Sequence, residues 1–210
     1  MTKTLCPSCG AEVVFQSSIS VFAVCPYCHS MLVRHDLHIE SIGRMAQLQE
    51  DPSPLQLGTQ GRYQAIAFSL IGRLRVGWQG GAWNEWFMLY DDGRHGWLAE
   101  AQGFYAILFQ QSLASPLPPA QALKLGMTTD LDGRTYEVSD IKQTTCTFGE
   151  GELPFKPALN RSMLSIDLTG PQETIATLEY PEEGARLYTG SYMDFDAFHF
   201  QSLKEFDGWR

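Results

Sequence analysis

Two matched pairs of cysteines near the N-terminus constrain this chain more than any other feature of the sequence. Cys6 and Cys9 form the first pair, Cys25 and Cys28 form the second, and fifteen residues separate the pairs. This spacing is typical of a four-thiolate zinc site, because two cysteines three apart on a tight turn point both sulfurs at one ion. The alternative is two redox Cys-x-x-Cys motifs, but no βαβ pattern follows either pair. The sequence therefore predicts a structural zinc ion bound by these four cysteines.

The residues around the cysteines agree with this prediction. Pro7 and Pro26 each fix φ inside a turn, and Gly10 and His29 hold equivalent positions after their pairs, where a turn often needs positive φ. The segment between the pairs, AEVVFQSSISVFAV, reads as two β-rich arms, so residues 1–35 are predicted to form a zinc ribbon. Four thiolates close the coordination shell, which leaves His29 outside it and argues against catalysis by the metal.

Composition and charge limit the classes of function. The net charge of -9 opposes binding to nucleic acid or anionic lipid, both of which need clustered Lys and Arg. No apolar run is long enough for a transmembrane segment, and the N-terminus lacks the apolar region of a signal peptide. We therefore expect a cytoplasmic location, where thiols stay reduced and paired cysteines more often bind metal than form disulfides.

The remainder of the chain predicts a mainly β fold with little helix. Residues 36–56 are a connector with one short helical turn near Ile42 and Met45, residues 57–114 a first β unit, and residues 121–210 a second β unit with a short helix around 198–206. Both units begin with Leu-Gly and resemble a weak internal repeat. We expect two related small antiparallel β-barrel or sheet units side by side, with a groove at their junction.

Two clusters are candidate functional sites. The first is dense in tryptophan and acid; its members are Trp78, Trp83, Glu85, Trp86, Asp91, Asp92 and Trp97. Tryptophan is enriched both in cores and at interface hot spots, so these residues either fill and rim a barrel or line a groove for a partner or amine. The second cluster is acidic; its members are Glu150, Glu152, Asp167 and Glu179. It reads either as a solvated turn or as an enclosed acid/base group, with Glu150 and Glu152 on one strand face.

Several stretches resemble one bacterial family, the domain of unknown function 4178. The stretches are EDPSPLQLGTQGR, GWQGGAWNEWFMLYDDGRHGWLAEAQG, and GEGELPF before IDL and TLEY. The resemblance covers roughly residues 52–188, and a zinc ribbon at the N-terminus is similar to what several members have. It implies no established activity or catalytic residue. Because members tend to be encoded beside polyamine-synthesis and membrane-stress proteins, it implies a partner-dependent role.

Three functions follow as hypotheses. No phosphate-binding loop, nucleophile elbow or His-Glu-x-x-His motif is present. The first hypothesis is therefore a non-enzymatic adaptor that meets a protein partner through an aromatic-acidic surface made by Trp83, Glu85, Trp86, Asp91, Trp97, Glu150 and Glu152. The second is an enzyme or sensor of a small amine, such as a polyamine, in the groove between the β units. The third is a nucleic-acid-binding zinc ribbon, which the net charge disfavours.

Overall fold

Almost all regular structure in this protein is antiparallel β-strand. The computed structural model describes residues 1–35, 38–46, 52–112 and 116–206. Within them the helical segments are two short 3-10 turns, Ala120–Ala122 and Phe195–Phe198. None of the helical segments in these ranges has the length and apolar character that a bilayer crossing requires. The predicted mainly β fold with little helix is confirmed.

The cysteine pairs lie at the turns of two short hairpins. The strands of this region are β1 (Thr2–Leu5), β2 (Glu12–Phe15), β3 (Phe22–Val24), β4 (Ser30–Arg34) and β5 (Ile39–Arg44). Strand β1 pairs with β2, and β3, β4 and β5 form a second antiparallel group. We call residues 1–34, with strands β1–β4, the cysteine module.

The helical turn predicted in the connector is wrong where the structure describes it. Residues Ile39–Arg44 form a strand that pairs with β4. Ile42 packs against the apolar cluster that contains Phe22, so edge pairing and burial outweigh a weak helical spacing that Gly43 already disfavours. The later part of that predicted turn falls on residues 47–51, outside the described ranges.

The next five strands form a meander. They are β6 (Gln60–Tyr63), β7 (Ile66–Trp78), β8 (Gly81–Tyr90), β9 (His95–Ala101) and β10 (Phe104–Gln110). The last five are β11 (Thr128–Leu131), β12 (Arg134–Leu153), β13 (Ser162–Thr169), β14 (Thr174–Tyr180) and β15 (Arg186–Met193). Alternating apolar and polar residues along both groups give each strand one face for a core and one face for other contacts.

The two meanders close into one eight-stranded ring. Strand β10 pairs with β15 at one seam, and β12 pairs with β7 at the other. The ring order is therefore β7, β8, β9, β10, β15, β14, β13 and β12, which places β8 directly opposite β14. The segments predicted as two side-by-side units thus each supply four strands of a single barrel. The enclosed space lies inside the ring and is not a groove between two separate units.

The outer face of β7–β10 is covered by chain from both flanks of the barrel. Leu55 from the connector and Phe198 from the C-terminal segment join Phe68, Trp86 and Tyr90 in one buried cluster. The helix predicted for residues 198–206 is wrong, since only Phe195–Phe198 forms a 3-10 turn.

The C-terminal segment turns back onto the barrel immediately after this 3-10 turn. His199 ends the turn at φ 48°, and the Phe198 and Phe200 rings stack at 4.8 Å between centroids. Residues Gln60 and Gln201 then form a β-bridge. Pairing with β6 and burial of phenylalanine therefore replace a continued helix.

Candidate functional site

The four cysteine sulfurs meet in one cluster, as the spacing predicted. All four lie within 4.8 Å of one another. The sulfurs of Cys6 and Cys28 are 3.7 Å apart, and those of Cys9 and Cys25 are 3.8 Å apart. Four sulfurs placed tetrahedrally about 2.3 Å from a zinc ion would be separated by about 3.8 Å. The donor set and its spacing therefore fit a tetrahedral metal ion.

Each pair sits on the same kind of turn. The amide of Gly10 donates to the carbonyl of Cys6 at 2.9 Å, and the amide of His29 donates to that of Cys25 at 3.0 Å. Both Gly10 and His29 have positive φ, 77° and 58° respectively. Histidine adopts this conformation more readily than most side chains. The predicted equivalence of the two positions is confirmed, and His29 is exposed outside the sulfur cluster.

The ionisation of the thiols depends on their surroundings. Hydrogen bonds with the Ser30 side chain and backbone lower the pKa of Cys28 to about 6. Burial raises the pKa of the Cys25 thiol. Because like charges this close repel, four thiolates can coexist only with a cation between them. The cluster therefore provides the electrostatic setting of a metal centre.

The cysteine module is attached to the barrel through the long strand β12. The end of β12 pairs with β3, and the Glu152 carboxylate there accepts hydrogen bonds from the amides of Gln16 at 2.8 Å and Ser17 at 3.2 Å. The Ser17 hydroxyl lies 2.7 Å from Nε2 of His95. Burial lowers the pKa of His95, which favours the neutral form of its ring. The module is therefore hydrogen-bonded to the barrel at two points.

Apolar packing extends the same attachment towards the barrel interior. Phe22 of the module and Met45 beyond it belong to one hydrophobic cluster with Leu74, Val76 and Trp97. These last three side chains also line the interior cavity. The fold of the cysteine module thus supports the wall of the cavity.

The barrel encloses a cavity of about 1100 Å³. Its lining reaches exposed turn residues, among them Gln102, Glu173 and Glu182, so the space is open to solvent. Its walls combine aromatic rings with charged side chains, a mixture that differs from an ordinary packed core. The ring is thus wide enough, and its interior polar enough, to receive a small molecule.

Three carboxylates from three strands face this cavity. Glu85 projects from β8, Asp167 from β13 and Glu179 from β14, and all three are half-buried. Asp167 accepts a hydrogen bond from Thr177 at 2.9 Å and lies 3.2 Å from Nζ of Lys142. Glu85 accepts a hydrogen bond from Nε1 of Trp83 at 2.9 Å. These acids are far apart in the sequence, and strand pairing around the ring brings them to the same cavity.

Burial and mutual repulsion shift the pKa values of these acids. Burial, followed by the charges of Glu85 and Asp167, raises the pKa of Glu179 to about 8, although Arg186 opposes the shift. Burial also raises the pKa of Glu85, with a smaller contribution from Asp167. Burial and the charge of Glu85 raise the pKa of the Cys146 thiol to about 12. The cavity therefore disfavours additional negative charge.

Cationic side chains and aromatic rings complete the walls. Nζ of Lys142 lies 5.5 Å from the ring centroid of Trp78 and 5.3 Å from that of Trp83. Arg186 lies over the ring of Phe155, which packs against Trp97. Burial disfavours the charged form of Lys142, but Asp140 and Asp167 outweigh it and raise its pKa. The rings thus already stack against cations in this structure.

The structure separates the residues predicted as one aromatic-acidic surface. Trp83, Glu85 and Trp97 line the cavity together with Glu179 from the second cluster. Trp86 points to the opposite face of β8 and is fully buried. Asp91 lies exposed in the turn after β8.

The two glutamates near the end of β12 do not act as a pair. Glu150 lies 3.2 Å from Nη1 of buried Arg73, whereas Glu152 is buried against the cysteine module. Gly151, at φ 67°, lies between them and breaks the strand alternation on which the prediction of a shared face was based. As placed, neither contributes to the cavity.

Sequence reasoning missed several polar groups. Lys142 and Arg186 line the cavity and were not predicted. Strand alternation around Asp167 and Glu179 was the signal that could have placed Lys142 and Arg186 on the same inner face. Glu100 was also missed; it is buried on the outer face of the barrel and accepts hydrogen bonds from Ser53 and from Trp86. This network fixes Trp86 in the outer cluster and leaves the cavity to other side chains.

Comparison with known proteins addresses the barrel. No curated protein sequence and no solved structure shows significant similarity to the chain. Residues 56–195 match the family described as "Domain of unknown function (DUF4178)". The matched segment contains every strand of the ring and lies after the cysteine module. Since it spans about two thirds of the sequence, the chain belongs to the DUF4178 family.

Proposed function

We propose that this protein is a metal-stabilised binding protein whose barrel takes up a small organic amine. The observation that carries the proposal is the cavity of about 1100 Å³. Glu85, Asp167 and Glu179 line this cavity together with tryptophan side chains. Ligand pockets typically occupy about 300–1,000 Å³, so the space suits a small molecule. We propose binding without a catalytic step.

The chemistry of the walls favours a cation over other ligands. Ammonium groups are attracted to carboxylates and to the faces of indole rings. Trp78 and Trp83 already hold the ammonium group of Lys142 in this way. Acidic side chains outnumber cationic ones in the lining, so an anionic ligand would meet a net negative wall. The acids are Glu85, Asp167, Glu173, Glu179, Glu182, Glu183 and Asp194, and the cations are Lys142, Lys156, Arg161 and Arg186. A linear or compact amine, the predicted polyamine included, therefore fits better than an acid.

The metal in this proposal is zinc, and its role is structural. Tetrahedral sulfur sites in proteins hold zinc or iron, and a closed shell of four thiolates leaves no open position for a substrate. A reducing compartment keeps such thiols available, which agrees with the cytoplasmic location predicted from the sequence. Elemental analysis of purified protein should find about one zinc ion per chain.

Calorimetric titration with putrescine and spermidine tests amine binding. We expect saturable binding of at least one amine, and no binding of 1,4-butanediol or succinate, which have comparable length but no positive charge. Glu85→Gln and Glu179→Gln should each weaken amine binding about tenfold, the effect of losing roughly 1.4 kcal/mol of interaction. Amine binding should also change the tryptophan fluorescence of the protein, and Trp83→Phe should remove part of that change.

Asp91→Asn is the matched control, because Asp91 is acidic and exposed outside the cavity. It should bind amines as the wild type does. If no amine binds at millimolar concentration, or if Asp91→Asn weakens binding as much as Glu85→Gln does, the proposal is wrong.

The predicted protein-adaptor role is a second candidate, favoured by exposed apolar side chains at the cysteine module. Leu5 is 66% exposed and Tyr27 is 70% exposed, each beside metal-ligand positions. Leu5→Ser with Tyr27→Ser should abolish co-purification of a native partner that the wild-type protein retains. Unchanged co-purification would exclude this surface. Nucleic-acid binding is disfavoured further because Arg73 is buried and Arg34 is hydrogen-bonded to the Ser18 carbonyl.

A further inference from the structure

Two acidic side chains confront each other across the barrel cavity. Glu85 lies on β8 and Glu179 on β14, the strand that occupies the opposite position in the ring of eight. Both side chains line the same cavity. Within the described ranges, neither carboxylate has a cationic group within ion-pair distance. The barrel thus holds two carboxyl groups that line one cavity from opposite strands of the ring.

Some of the other charged groups around the cavity pair with each other, as Arg161 does with Glu182 at 3.5 Å. Lys142 lies between Asp140, at 2.7 Å, and Asp167, at 3.2 Å. Arg186 is the register partner of Glu179 on β15, and its guanidinium lies over the ring of Phe155. The titratable groups that line the cavity from all its walls are Glu85, Tyr105, Lys142, Cys146, Lys156, Arg161, Asp167, Glu173, Glu179, Glu182, Glu183, Arg186, Tyr188, Tyr192 and Asp194.

This arrangement limits how much negative charge the two glutamates can share. Burial, with the charges of Glu85 and Asp167, raises the pKa of Glu179 to about 8, and burial, with a smaller contribution from Asp167, raises that of Glu85. We therefore expect the ligand-free protein to keep a proton on this pair at neutral pH. A positive group that enters between the two carboxyl groups would offset their repulsion and lower their pKa values, so that the proton would be released.

We infer that the cavity exchanges a proton for its ligand, so that each organic cation bound at Glu85 and Glu179 expels a proton from this pair. The inference rests on the proposed amine binding and adds its regulation by pH. The ammonium group enters with its charge, the carboxyl O–H bond breaks, and the proton passes to solvent. No oxidant, reductant or covalent bond to the ligand takes part. Affinity therefore rises with pH up to the point at which the pair is fully ionised.

Proton release can be measured directly during binding. Calorimetric titrations with putrescine at pH 7, in buffers of differing ionisation enthalpy, should show release of up to about one proton per ligand. The affinity should rise with pH, by at most about tenfold per unit below pH 8, and level off above it. Glu179→Gln should bind putrescine more weakly, release far less proton and lose most of the pH dependence. Asp91→Asn should release the same number of protons as the wild type.

Titration of the ligand-free protein separates this inference from the proposed function. Carbon-13 NMR of labelled glutamate carboxyls should show one group that titrates near pH 8 and is absent from Glu179→Gln. Putrescine binding without proton release or pH dependence would overturn the exchange and leave amine binding intact. Absence of binding by any amine between about pH 6 and pH 9 would overturn both. If every glutamate titrates below about pH 6, the exchange is wrong whatever binds.

Discussion

The cysteine module and the barrel cavity both bring acidic groups close together, but they space these groups differently. The module gathers four sulfurs within 4.8 Å, so closely that a single metal ion could complete the group and would leave no position for another ligand. The cavity spreads three carboxylates over the walls of a space of about 1100 Å³. Acidic groups that converge on an ion stabilise a fold, whereas acidic groups that line a space leave that space for a ligand.

The largest expected effect comes from loss of the metal. Cys25→Ser removes a ligand and should abolish stoichiometric metal binding, which contributes on the order of 10 kcal/mol in structural zinc sites. Hydrogen exchange should then increase across β1–β4, while the ring retains most of its protection. Trp97 should become more accessible, because Phe22 no longer packs in its cluster. Cys146→Ser is the control; if Cys25→Ser keeps its metal, the assignment of the centre is wrong.

A smaller effect is expected at the junction between the two regions. Glu152→Ala removes the acceptor for the amides of Gln16 and Ser17, so it leaves the buried Ser17 amide and the part-buried Gln16 amide without their partner. The free energy of unfolding should fall by about 3 kcal/mol, measured by chemical denaturation. Metal content should remain unchanged, because the cysteines are untouched. A loss below about 0.5 kcal/mol would show that the module does not depend on this carboxylate.

The cavity predicts a pH-dependent difference in stability. Because the folded-state pKa of Glu179 is raised from 4.5 to about 8, the folded protein binds more protons than the unfolded chain between these values. Its contribution to stability is complete below about pH 4.5 and is lost as pH rises through about 8. Glu179→Gln should remove this loss and gain about 2 kcal/mol on the wild type by about pH 9, a value discounted for hydration of the cavity.

Thermal unfolding across this pH range measures the difference. Asp91→Asn should follow the wild-type profile, because its side chain is exposed outside the barrel. Parallel profiles for the wild type and Glu179→Gln would mean that the cavity does not raise the pKa of Glu179.

The smallest effect is expected at the surface of the cysteine module. Lys3→Ala breaks an exposed ion pair with Glu12, whose atoms lie 2.8 Å apart. Solvent screens such pairs, so the free energy of unfolding should change by less than about 0.5 kcal/mol. Metal content and amine binding should be unaffected. A larger change would indicate that electrostatics at the surface of the module influence the metal centre.

Local sequence was sufficient to predict the cysteine cluster but not the cavity. The clustering of the four cysteines and the turn positions of Gly10 and His29 were predicted as observed, because each turn is formed by residues close together in the chain. Strands were predicted for both barrel segments, yet their union into one ring depends on pairing between β7 and β12 and between β10 and β15. No local pattern encodes such long-range register.

The amino-acid sequence by itself determined the cysteine turns, the β-rich composition of the barrel segments and the acidic character of the chain. Only the tertiary structure decided which acidic and aromatic side chains share a space. Glu85 and Trp86 are neighbours in sequence, yet one faces the cavity and the other lies in the outer cluster. Glu85 and Glu179 are far apart in sequence and face each other across the ring. Strand alternation separates neighbours, and ring closure brings distant residues together.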